Sequence, residues 1–111
     1  MAEYKGLFHI DESAKWGLLL TNVENTLKSG EEMELAVVAN AEAVRDFAQE
    51  GTIRERMSKL AAQGVSFSAC RNALQGNNVD ITSLPDFVQI VPAGIVELIK
   101  LQTAGFCYIK P

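Results

Sequence analysis

Few residues in this chain can do chemistry: one histidine, His9, and two cysteines, Cys70 and Cys107. Cys70 stands where an apolar strand-like run, VSFSA at 65–69, gives way to a helix-like run, RNALQG at 71–76. A thiol at such a junction meets the unpaired amides and positive dipole end of the helix, which favour the nucleophilic thiolate. His9 closes another apolar run, YKGLFHI at 4–10, and could supply a proton donor or a positive neighbour, with Glu12 or Glu97 to orient it. The plainer readings stand beside these. Free cysteine is among the most buried residue types, a lone histidine is often a hydrogen-bonded structural group, and Asn40 is a natural helix cap. Cys107, between Phe106 and Tyr108 in a strand-like run, reads as a core filler.

The two cysteines lie far apart with no CxxC spacing, which argues against a disulfide scaffold or a zinc ribbon. His9, Asp11 and Cys70 are too thin a set for a zinc site, so neither a metal nor a cofactor is expected.

These residues need elements to hold them. Apolar residues make up 48% of the 111 and charged residues 22%, so the whole chain should fold, as one domain over 1–111. YKGLFHI predicts strand one, and Asp11 is placed as the N-cap of a helix whose stripe is Trp16, Leu19, Leu20, Val23 and Leu27. MELAVVA at 33–39 shows no polar alternation, the pattern of a strand covered on both faces. Two helical segments follow, one from Ala41 to Gly51 and one through Ile53, Met57 and Leu60 to Gly64. VSFSA is strand three, RNALQG a short helix, VDITSLPDF a loop and FVQIV at 87–91 strand four. Pro92 fits the first turn of the next helix, striped by Ile95, Leu98, Ile99 and Gln102, and FCYIK at 106–110 is the last strand.

Strands alternating with helices predict an α/β three-layer sandwich with a five-stranded, mostly parallel sheet and flavodoxin-like topology, the usual strand order being 2-1-3-4-5. Ligands of such sheets bind outside the carboxyl ends of the strands. His9, Asn40, Cys70, Asn72, Pro92 and Gly94 all fall on that rim. Cys70 and His9 are the catalytic candidates there; Asn40, Asn72, Pro92 and Gly94 are the ligand-binding candidates.

Named alternatives fail on their residues. The loop after strand one is Asp11-Glu12-Ser13, whose charge would repel a flavin phosphate. A receiver domain could use Asp11, Glu12 and Lys110, but Cys70 occupies the place of its phospho-acceptor. A cysteine phosphatase needs an arginine where this chain has Gly76. The net charge of −4, without a basic stripe, offers nothing to nucleic acid, and no run approaches the roughly 18 apolar residues of a membrane span. The N-terminal MAEYKGLFHIDES has no secretory pattern, so a cytoplasmic location is expected.

FHIDE at 8–12, LLLTNVENTL at 18–27, VVAN at 37–40, VSFSACRNAL at 65–74, IVPAGIVEL at 90–98 and GFCYIKP at 105–111 together resemble the compact branch of the DsrE/DsrF-like family. The resemblance implies a YchN-like fold, assembled as a homotrimer or as a hexamer of two trimers. It also implies that Cys70, by position, matches the cysteine that carries sulfur as a persulfide in sulfur-relay members, with a donor or acceptor protein as possible partner. The expected function is therefore a small oligomeric sulfur handler, which requires the Cys70 sulfur to point out of the sheet and be reachable. The alternative is a non-catalytic oligomeric module, binding a small ligand or sensing redox state, with Cys70 lining the site.

Overall fold

The computed structural model describes residues 4–111. In chain order the elements are β1 Tyr4–Ile10, α1 Trp16–Lys28, β2 Met33–Ala39, α2 Thr52–Ala62, β3 Ser66–Cys70, α3 Arg71–Gly76, β4 Val88–Val91, α4 Gly94–Thr103 and β5 Cys107–Ile109. Tight 3-10 turns occupy Ser13–Lys15, Ala41–Ala48 and Ile81–Ser83. The segment at 41–48, expected to be helical, is thus wound more tightly than an α-helix. Asp11, expected to cap the first helix, instead pairs with Lys110, and Glu12 takes the cap position without a side-chain bond.

The five strands form one parallel sheet, as the alternation of elements predicts. Their order is β4-β3-β2-β1-β5 rather than 2-1-3-4-5. The difference follows burial. The unbroken apolar run of β2 takes the centre, while the short strands β4 and β5, of four and three residues, take the edges.

This order dictates the layers. The chain steps from β1 to β4 in one direction, so right-handed crossovers keep α1, α2 and α3 on one face. The return from β4 to β5 runs the other way, and the same handedness places α4 on the opposite face.

The larger core, on the α1 side, unites Trp16, Phe47, Phe67, Met57 and Leu74 with Phe8 and Val37 of the sheet. Trp16 packs edge-on to Phe47 at 5.3 Å between ring centroids, and its indole Nε1 donates to the carbonyl of Ala43 at 2.9 Å. The smaller core joins Leu98 of α4 to Leu7, Ala36 and Val38.

Two expectations about packing are corrected. In α4, Gly94 and Leu98 face the sheet, whereas Ile95 and Ile99 are 57% and 59% exposed. The helix carries apolar residues on both sides, and the close approach of Gly94 to β3 sets its rotation. Cys107 is exposed, not core, because β5 is an edge strand. It lines an apolar groove of about 280 Å³ with Gly6, Phe8, Leu35 and Ile109.

Candidate functional site

Opposite turns of chain at adjacent strand ends mark the switch point at which ligands of such sheets bind, and in this sheet it lies between β3 and β4. The chain leaves β3 towards α3, which joins the larger core through Leu74, and leaves β4 towards α4 on the other face. Cys70 and Val91 are register partners at these two ends. The switch point therefore lies where Cys70 meets the start of α4.

Cys70 shares the sheet face of Ser68, away from Phe67 and Ala69 in the larger core, and so points out of the sheet beneath α4. A Cβ placed on Gly94 would lie 3.2 Å from the Cys70 Cβ and 3.3 Å from the Asn40 Cβ. Glycine there lets the helix approach closely enough to roof the thiol. The outcome departs from an open sulfur: Cys70 is 7% exposed, buried beneath the start of α4 rather than facing solvent.

Asn40 stands at the N-cap position of the 41–48 turn, yet its side chain makes no capping bond. Its backbone amide continues the sheet by donating to the carbonyl of Ile10 at 3.0 Å. Its Oδ1 lies 3.0 Å from Nε2 of His9, leaving Nδ2 on the side of Gly94 and Cys70, 3.8 Å from the Gly94 Cβ position. The next residue, Ala41, has φ of +49°, a left-handed conformation that costs a non-glycine residue about 1 kcal/mol or more. Strain of that kind collects at sites where chain direction serves a purpose.

His9 is 8% exposed and both its ring nitrogens are engaged, Nε2 by Asn40 and Nδ1 by the Tyr108 hydroxyl at 2.5 Å. Its partners are not Glu12 or Glu97; no carboxylate pairs with it among the described residues. With Asn40 Oδ1 as acceptor, the ring carries its proton on Nε2 and receives the Tyr108 hydroxyl proton at Nδ1. One position beyond each of these strands, Asp11 and Lys110 pair at 3.1 Å, and the carboxylate holds the ammonium above the usual lysine range.

The strand-to-helix junctions after β2, β3 and β4 all lack a side-chain cap: Asn40, Cys70 and Ala93 occupy these positions without one. Of the expected site residues, the structure brings together Cys70, Gly94, Asn40 and His9. Asn72 is exposed and bonded to no rim residue, and Pro92 is exposed and precedes α4 by two positions instead of opening it.

The arrangement joins a recessed thiol, an amide donor and an uncapped helix start to a histidine one residue removed. A family model described as the DsrE/DsrF-like family matches residues 6–111. The chain belongs to this family. Sulfur relay is the chemistry associated with DsrE/DsrF-like proteins in general. Among solved structures, the protein of unknown function MTH1491 from Methanobacterium thermoautotrophicum is 32% identical with a TM-score of 0.90, covering 98% of this chain and 100% of that one. The ychN protein from E. coli, 18% identical with a TM-score of 0.79, aligns over 100% of both chains. BT1422 from Bacteroides thetaiotaomicron, at 15% identity and a TM-score of 0.71, covers 96% of this chain and 94% of its own. These likenesses establish a YchN-like fold for this DsrE/DsrF-like chain. No curated protein matches it in sequence.

Tyr108 escaped sequence reasoning. Its partnership with His9 depends on β5 lying beside β1, with Tyr108 in register with Leu7, and strand order cannot be read from local pattern. The alternation within FCYIK was the available signal, since it puts Tyr108 and Cys107 on opposite faces.

Proposed function

We propose that this protein takes up sulfane sulfur on Cys70 and passes it to a second thiol. The observation that carries this is the position of Cys70 at the carboxyl end of β3, pointing out of the sheet under Gly94. The Cys70 thiolate attacks the outer sulfur of a persulfide or polysulfide, the donor's S–S bond breaks, and the donor leaves as its thiolate. An acceptor thiolate then attacks the outer sulfur of the Cys70 persulfide and regenerates the Cys70 thiolate. Electrons balance with no outside oxidant.

With 7% of Cys70 exposed, small sulfane-sulfur carriers suit the buried thiol better than the thiol of a folded protein. A protein donor or acceptor would need the start of α4 to move.

The exposed side chains of Ile95, Val96 and Ile99 on α4 favour assembly with further copies of the chain, as a trimer or a hexamer. A reducing cytoplasmic setting suits a free thiol whose work is exchange.

Cyanide tests the uptake step. After loading with polysulfide and desalting, the protein should release thiocyanate, and Cys70→Ala should release none beyond what Cys107 carries. Equal release from both proteins would remove Cys70 from the chemistry. The alternative, a non-catalytic module, predicts no sulfur loaded on Cys70.

A further inference from the structure

We propose that Tyr108 and His9 form a positioning relay that turns the Asn40 amide onto the sulfur carried by Cys70. The proposal rests on the sulfur-handling function above and goes beyond it by giving roles to three side chains.

Asn40 occupies a cap position and does not cap, so its side chain serves something other than the helix that follows. His9 Nε2 holds Oδ1 at 3.0 Å, which leaves the two Nδ2 hydrogens as the free end of the amide. That end lies on the side of Gly94, where the Asn40 and Cys70 Cβ atoms converge on one point at 3.3 and 3.2 Å. An amide can flip at little cost unless a neighbour tells oxygen from nitrogen. Here the neighbour is His9, and it discriminates only while its proton sits on Nε2.

Tyr108 supports that proton's place by donating to Nδ1, a direction open to its hydroxyl only while Nδ1 carries no proton. Donation there keeps the Nδ1 lone pair in use and favours the proton on Nε2. Order therefore passes from Tyr108 to His9, from His9 to Asn40, and from Asn40 to the sulfur on Cys70. Two N–H groups then face the terminal sulfur of the Cys70 persulfide, an anion that gains from charge-assisted hydrogen bonds. No proton moves along the relay; its members hold orientation.

Two measurements test this, both in Cys107→Ala protein so that the exposed thiol cannot report. The first is the rate of persulfide formation on Cys70 with saturating polysulfide, followed by mass spectrometry. Asn40→Asp keeps an oxygen for His9 but removes the donor, and its rate should fall about tenfold to a hundredfold, the worth of a hydrogen bond to a charged group. Tyr108→Phe should slow it about twofold to tenfold, as for a neutral hydrogen bond. Parental rates in both folded variants overturn the relay, whereas a parent that takes up no sulfur overturns the function and not the relay.

The second measurement is independent of sulfur. His9 is the single histidine, so its ring nitrogens are assignable by 15N NMR without ambiguity. The parent should show the Nε2–H form alone, and Tyr108→Phe a mixture of tautomers. An Nδ1–H ring in the parent would contradict the proposal, even if Asn40→Asp failed to fold.

Discussion

The Cβ of Cys70 lies 3.2 Å from the point where residue 94 would carry its own, and glycine at 94 leaves that point empty. The contact is tighter than ordinary packing, and the neighbours on both sides are Cβ atoms, of Cys70 and Asn40, which cannot swing away. Gly94→Ala should therefore push the start of α4 outward. Overpacking of this kind costs about 1–3 kcal/mol, to be read by urea denaturation. The same displacement should uncover the thiol, so that Cys70 reacts faster with a bulky thiol reagent even as the fold weakens. Unchanged stability together with unchanged Cys70 labelling would mean that Gly94 does not roof the thiol.

The two thiols should differ in reach. Cys107 lies exposed on the edge strand and Cys70 is buried, so a bulky aromatic disulfide should label Cys107 at once and Cys70 only slowly. A small alkylating agent should narrow the gap. Equal rates with the bulky reagent would show Cys70 to be open to solvent.

Two carboxylates should drive stability in opposite directions with pH. Burial raises the pKa of Asp46 above the ordinary 3.8, and its Oδ1 has no hydrogen-bond partner among the described residues. Because the folded state holds this proton more tightly, the favourable contribution is present in acid and is lost as pH rises through the raised value. Asp46→Asn should thus stabilise the protein at pH 7, with the advantage fading towards the ordinary carboxylate range. Glu24 behaves in reverse: its hydrogen bonds to Arg56, at 2.8 and 3.1 Å, lower its pKa below 4.5. Its contribution is complete above that value and is lost as pH falls through the lowered one. Glu24→Gln should cost about 0.5–1 kcal/mol at pH 7 and nothing in strong acid. Thermal melts of both variants from pH 3 to 7 check the two signs.

Trp16 carries the larger core. It is fully buried, packs against Phe47, and its indole satisfies the Ala43 carbonyl at 2.9 Å. Trp16→Phe leaves a void and removes the indole's hydrogen bond to the Ala43 carbonyl, and should destabilise by about 2–4 kcal/mol in chemical denaturation. A loss below about 1 kcal/mol would mean that the core closes over the gap.

Local pattern in the sequence located the strands and helices because each is written in adjacent residues. YKGLFHI and MELAVVA are strands over the expected spans, and RNALQG is the short helix expected from its glycine stop. What depends on distant pairing was not readable. The order of the sheet, and with it the switch point between β3 and β4, follows from how buried strands share neighbours, which no local window contains. The phase of α4 was misread because Ile95, Leu98 and Ile99 satisfy the helical period equally well on either face, and Gly94 decides between them by a contact with β3. The carboxyl ends of the strands, at or beside which His9, Asn40 and Cys70 stand, are legible because each strand is written locally. Tyr108 and the engaged state of His9 are not, since both require knowing that β5 lies against β1.

Transfer of sulfur through Cys70 is tested most directly by intact-mass spectrometry of reduced Cys107→Ala protein after exposure to inorganic polysulfide and removal of excess. The mass should rise by one sulfur atom and return to its starting value when a small thiol is added, while protein carrying both Cys70→Ala and Cys107→Ala should gain none. An unchanged mass in Cys107→Ala would contradict the assignment of sulfur chemistry to Cys70.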